Sequence, residues 1–212
     1  MKEEKRTKLT SFLNDTLMHA AKNISVDVAK KHFKEVKKVA VYYKNELSKP
    51  NPDKFIGKLY AKVDQIVKES VKPGSVSCSK GCSHCCYQAV NISKSKALYI
   101  LNNTERIELD TKLLVKQLPL TTYQEWHELP YADRKCIFLQ DNKCSIYDIR
   151  PIACRKYFVK SLPDDCDSQA NPNRRVINMT INPVEKMASA LINAEENGLL
   201  PAMIQKVVQK FK

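Results

Sequence analysis

Residues 78–86 read Cys78-Ser79-Lys80-Gly81-Cys82-Ser83-His84-Cys85-Cys86, a C-x3-C-x2-C-C run. Such spacing lets a tight backbone turn bring several sulfurs to one centre at about 2.3 Å. Gly81, beside Cys82, supplies the loose backbone that turn needs. The donor set is almost all sulfur, which suits zinc or an iron–sulfur cluster and excludes magnesium and calcium. Neighbouring side chains usually point apart, so Cys85 and Cys86 do not readily hold one mononuclear ion together. Either one of them is structural, or the two serve different centres.

Four more cysteines follow: Cys136, Cys144, Cys154 and Cys166, separated by 7, 9 and 11 residues. Four near and four far would complete two four-thiolate sites; they would also fit one cluster and one zinc, and the partition stays open. The alternative for each far cysteine is a buried, inert thiol. Cys166 lies in Asp164-Asp165-Cys166-Asp167, where acidic neighbours oppose a thiolate, so its role as a ligand is left open. His84 could ligate, but between Cys82 and Cys85 it fits a turn residue better. The C-x3-C-x2-C spacing also binds the cluster of radical-SAM enzymes, but their barrel needs a repeating βα pattern that this chain lacks. No Ser/His/Asp set, H-E-x-x-H or pair of catalytic carboxylates can be picked out. A Cys–His pair would need His84 or His127, and eight cysteines are better used on metal.

The remaining composition narrows the class. The 212 residues are 43% hydrophobic and 28% charged, a globular balance. Four glycines cannot furnish a glycine-rich phosphate loop plus turns, and neither G-x-G-x-x-G nor G-x-x-x-x-G-K-[ST] occurs. No apolar run approaches the roughly 18 residues of a membrane span. The start, Met1-Lys-Glu-Glu-Lys-Arg-Thr-Lys, has charge but no apolar segment behind it, unlike a secretory signal. A cytoplasmic location is expected, where thiols stay reduced and eight cysteines read as metal ligands before disulfides. The net charge is +13: residues 1–75 carry 17 basic and 9 acidic side chains (+8), and residues 76–212 carry 19 and 14 (+5). A basic surface of this kind attracts nucleic acid or an acidic protein; a lysine-rich solvated face is the simpler reading.

The fold expected is mainly α, a helical bundle with a small irregular and β-hairpin cysteine-rich region in its middle. Residues 1–75 read as three lysine-rich helices. The first has Leu9, Phe12, Leu13 and Leu17 on one face. The second starts after Ser25, with Phe33, Val36, Val39, Ala40, Tyr43 and Leu47 opposite Lys30, Lys31, Lys34, Lys37, Lys38 and Lys44. Asn51-Pro52 opens the third, carrying Phe55, Ile56, Leu59, Tyr60 and Val63, and Pro73-Gly74 ends it. Residues 76–160 form the cysteine domain, with a short helix capped by Ser93, a weak one near 108–118, a long loop over 119–135, a hairpin turning at Asp141-Asn142 and a short helix after Arg150-Pro151. Residues 161–212 begin as loop, with a strand over Arg175–Ile181, and end in helices near 183–196 and 200–211 split by Asn197-Gly198. They are expected to pack on the same body.

Cys78-x3-Cys82-x2-Cys85-Cys86, then Cys136-x-Phe-Leu-x4-Cys144-Ser-Ile-Tyr-x2-Arg-Pro-x2-Cys154-Arg-x-Tyr, resembles the CxxCxxCC cysteine-cluster family, the YkgJ-like zinc- or iron-chelating domain. The resemblance covers about residues 76–160. The family's name implies two residues in the first gap where this chain has three. What the resemblance implies is a Cys-bound zinc or iron–sulfur centre in a cytoplasmic protein. The implied ligands are Cys78, Cys82, Cys85, Cys86, Cys136, Cys144 and Cys154. Tyr147, Arg150 and Arg155 belong to the same motif, and an arginine there can donate to sulfur and offset its charge. One branch resembles flagellin lysine-N-methylases, which implies an iron–sulfur enzyme as the first alternative. The other alternative, a zinc-stabilised nucleic-acid binder, rests on the charge.

Overall fold

The computed structural model describes residues 26–79, 81–104, 109–171 and 176–209. The helix expected around Leu9–Leu17 lies outside these residues. Helix α1, Val26–Leu47, buries Ala29, Val36, Ala40 and Tyr43 at three-, four- and seven-residue steps and leaves the lysines of its other face exposed. Helix α2, Pro52–Ser70, starts where the sequence says it should: Asn51 Oδ1 accepts from Lys54 N at 3.2 Å, and proline fills the first position. It buries Ile56, Leu59, Tyr60 and Val63. The turn after it carries Gly74 at φ +76°, in the left-handed region that glycine favours.

Strand β1, Asn91–Ser93, leads into α3, Lys94–Asn102, which Ser93 caps as expected. Helix α4 is Thr111–Gln117, with Asp110 accepting from Leu113 N at 3.0 Å. The expected long loop at 119–135 contains α5, Tyr123–Glu128. Thr122 and Glu125 form a reciprocal capping box there, and Trp126 is 2% exposed. The hairpin is β2, Leu139–Gln140, and β3, Lys143–Cys144. Its turn residues Asp141 and Asn142 take φ of 44° and 58°, as a two-residue turn of this twist requires. Helix α6, Ile152–Arg155, carries Cys154. Strand β4, Phe158–Val159, pairs with β5, Asn178–Met179, only the middle of the strand expected at Arg175–Ile181.

Helix α7, Asn182–Ala194, packs on α1 and α2 in a core of Val36, Ala40, Ile56, Val63, Val184 and Leu191. The Asn197-Gly198 break is itself strand β6, Asn197–Leu199, antiparallel to β1 with Asn91 opposite Leu199. Helix α8, Leu200–Val208, then completes a second core with Ile92, Ile100, Leu114, Phe138 and Ile204. The chain is mainly α, with eight α-helices and a few very short strands among the described residues. Cys136 and Cys144 pack against the second core. No described helix is long and apolar enough to cross a membrane.

Candidate metal centre

Backbone hydrogen bonds bring the cysteine segments together. Ser77 N donates to Val159 O at 2.8 Å, and Val159 N donates to Cys78 Sγ at 3.4 Å, so the chain entering the motif runs beside β4. Cys82 N donates to Ser79 O at 3.1 Å, closing a turn in which Gly81 stands at φ +91°. A Cβ at Gly81 would meet no atom within 4 Å, so backbone conformation alone selects glycine. His84–Tyr87 form a 3-10 turn, with Cys86 N donating to Ser83 O at 2.8 Å. Trp126 Nε1 donates to Tyr87 O at 3.0 Å, which ties α5 to this turn.

Cys136 N donates to Cys86 O at 2.7 Å, joining the two halves of the motif directly. The hairpin places Cys144 opposite Leu139, and Leu139 N returns to Cys136 O at 2.9 Å. Cys154 stands on α6, where its N–H donates to Pro151 O at 3.0 Å. Cys166 ends a 3-10 turn, Pro163–Cys166, that packs against His84–Tyr87. A cavity of about 180 Å³ opens between them, lined by His84, Cys85, Tyr157, Asp165 and Cys166 among others. All eight cysteines are free thiols, and Cys85 is the exposed one.

Their mutual electrostatics fall into two sets. Cys82 acts on Cys78, and both act on Cys166; Cys86, Cys136 and Cys144 form the other set, with Cys154 reached by Cys136 and Cys144. Cys85 reaches both. The hydrogen bond from Cys86 holds the Cys85 thiol down at about 7, and Cys86 correspondingly keeps its proton. Burial pushes Cys136 up to about 12 and Cys166 up to about 11, and raises Cys78, Cys144 and Cys154. Arg150 draws Cys85, Cys144 and Cys154 downward, the charge-offsetting part anticipated for a motif arginine. Its guanidinium lies 3.8 Å from the ring centre of exposed Tyr147.

Arg155 does something else. It is not seen donating to sulfur; its Nη1 grips the Asp64 carboxylate at 2.6 and 2.5 Å, Nε donates to Arg150 O at 3.0 Å and Nη2 donates to Asp148 O. The residue therefore locks α6 to α2 beneath the cysteines. Lys96, which the sequence reading passed over, lies beside it, 1% exposed. Its Nζ donates to Ile149 O and sits 4.3 Å from the Tyr60 ring centre. Burial brings the Lys96 ammonium down to about 6, Arg155 pushes the same way, and Cys154 and Cys144 oppose. The available hint was positional: Lys96 shares the helix face of Ala97 and Ile100, both fully buried.

A pH dependence follows for the metal-free chain. Between about 6 and the ordinary lysine value near 10.5, the unfolded chain binds a proton at Lys96 that the folded one does not, so stability rises with pH. Above about 9, unfolded thiols ionise before the buried ones, and stability falls. Urea melts in chelator from pH 6 to 10 should peak near 8–9, with Lys96 contributing a rise of at most about 1.4 kcal/mol per pH unit on the acid side and Cys85 adding to it above about 7. A flat profile between pH 6 and 8 would count against this placement of Lys96.

The fit to a metal rests on donor chemistry: eight free thiols on segments that backbone hydrogen bonds and packing bring side by side. Among the described residues no three His, Cys, Asp or Glu side chains are already closed around a single point. A bound zinc or iron–sulfur group would draw the thiols in as thiolates and cross-link the segments they stand on.

Hydrogen bonds thus bring cysteine-bearing segments from separate parts of the sequence side by side on a helical scaffold. Residues 77–175 match the family model CxxCxxCC, described as "Putative zinc- or iron-chelating domain". The match runs past residue 160 to include Cys166. Neither a curated protein nor a solved structure matches the chain.

Proposed function

We propose that the chain is a metal-binding protein whose Cys78, Cys82, Cys85, Cys86, Cys136, Cys144 and Cys154 hold zinc or an iron–sulfur centre in the cytoplasm. The observation that carries this reading is the hydrogen bond from Cys136 N to Cys86 O, which joins two cysteine segments fifty residues apart. The bound metal supplies cross-linking, and in the iron–sulfur case also electron exchange. The protein's part is to position the sulfurs: the Gly81 turn presents Cys82, the 3-10 turn presents Cys85 and Cys86, and the Arg155 clamp holds Cys154. Arg150 offsets thiolate charge from one side.

Elemental analysis of anaerobically purified protein tests the reading. The expected result is stoichiometric zinc, or iron with inorganic sulfide and visible absorbance. Protein free of both, with eight titratable thiols, would end it.

The exposed lysines of α1 support a second reading, contact with an acidic protein or nucleic acid. It predicts retention on immobilised RNA or DNA at low salt and release at moderate salt. Passage through such a column at low salt would remove the nucleic-acid form of it.

A further inference from the structure

Lys96 heads the fully buried side chains among the described residues by volume. A buried ammonium is costly unless opposite charge meets it. Here it meets the Ile149 carbonyl and the faces of Tyr60 and Tyr99, at 4.3 and 4.9 Å from their centres. Among the described residues no carboxylate pairs with it. Glu195 is used by Ser95, accepting from its N and Oγ at 2.8 Å each, and Asp64 is used by Arg155. Arg155 adds a second cation, its guanidinium 4.6 Å from the centre of the same Tyr60 ring. Among the described residues Tyr60 Oη has no hydrogen-bond partner. Its acceptor Ile149 lies in the segment between Cys144 and Cys154, and Lys96 lines a small cavity with Pro151, Ile152 and Ala153, the residues that run into Cys154.

Carbonyl and ring faces offset part of the cost of burying a cation; the rest calls for negative charge on the Cys144 and Cys154 side. Four thiolates around one zinc ion supply a net charge of about −2 there. We propose that Lys96 is the counter-charge of the loaded metal–thiolate centre, a positioning residue that acts through Cys144 and Cys154. The proposal rests on the metal-binding reading above. It explains a lysine in an apolar core: the side chain is a burden to the metal-free chain and an asset to the loaded one.

The test uses the full chain stripped of metal and titrated with zinc against a chelator, comparing wild type with Lys96→Met and Lys96→Arg. Methionine keeps the approximate volume and removes the charge. Arginine keeps the charge, and a cavity of about 30 Å³ beside Lys96 gives its larger head some room. Lys96→Met is expected to weaken zinc binding 10- to 100-fold, and Lys96→Arg to restore most of it. The metal-free Met variant should melt at or above the wild-type temperature, while the zinc-loaded variant melts below its wild-type counterpart. A merely structural lysine would shift both forms alike. Equal zinc affinity for wild type and the Met variant overturns the proposal, as does a Met variant that is less stable than wild type, or unfolded, without metal. A wild type that takes up no zinc overturns the metal-binding reading and this proposal with it.

Discussion

Replacing Cys85 by serine is expected to strip bound metal from the protein and to lower the melting temperature of protein isolated with its metal. Cys85 is the thiol whose charge reaches both cysteine sets, so its loss is expected to weaken whichever set carries the metal. Structural zinc contributes about 10–16 kcal/mol of apparent binding energy. Shared over four donors, that is about 3 kcal/mol per sulfur, or roughly a hundredfold in affinity. The metal-free chain should barely notice the change, because Cys85 is exposed and serine fits the same turn. Metal content after dialysis and paired melts, with and without chelator, read the two effects separately. Undiminished metal in the serine variant would take Cys85 out of the ligand set.

Arg155→Met is expected to destabilise the metal-free chain by about 2 kcal/mol. The ion pair itself contributes little of this, because Asp64 is 52% exposed while the Arg155 side chain is 4% exposed, and half-solvated pairs are worth about 1 kcal/mol or less. The larger effect comes from the Arg150 and Asp148 carbonyls, which lose their donors, at about 1 kcal/mol or more between them. For a chain of this size that is a fall of roughly 4–8 °C in melting temperature. Because the same bonds hold α6 in place, metal affinity should fall alongside stability. A loss below about 0.5 kcal/mol would show that water replaces the guanidinium without cost.

Helices α1 and α2 were legible because their apolar residues recur over many turns and Asn51-Pro52 marks a start. Helix α5 was not, since six residues carry no period, although Thr122 and Glu125 already spelled the capping box. Asn197-Gly198 reads locally as a break; its role as strand β6 comes from pairing with residues 91–93, more than a hundred positions earlier. The Arg175–Ile181 strand shrank for the same reason, since β4 offers it only two residues. At the candidate site, sulfur spacing announced the chemistry, and the Gly81 turn behaved as its residue type implies. That Arg155 would reach Asp64 rather than sulfur depended on where α2 lies. Lys96 was hidden by its own type, because lysine is normally a surface residue and its place one turn before buried Ile100 is a weak signal beside that.

The link from Cys136 to Cys86 also sets an order of events during synthesis. At roughly 5–20 residues per second, the ribosome needs roughly 3–14 s to go from Cys86 to Cys154. Early in that interval the four early thiols exist without their later companions, on a segment whose stacking partner Tyr131 and anchor Trp126 are also still to come. Metal delivered then would meet an unfinished nest. Loading therefore belongs after release of the hairpin and α6 from the ribosome, and the nascent chain must reach that point with its thiols reduced.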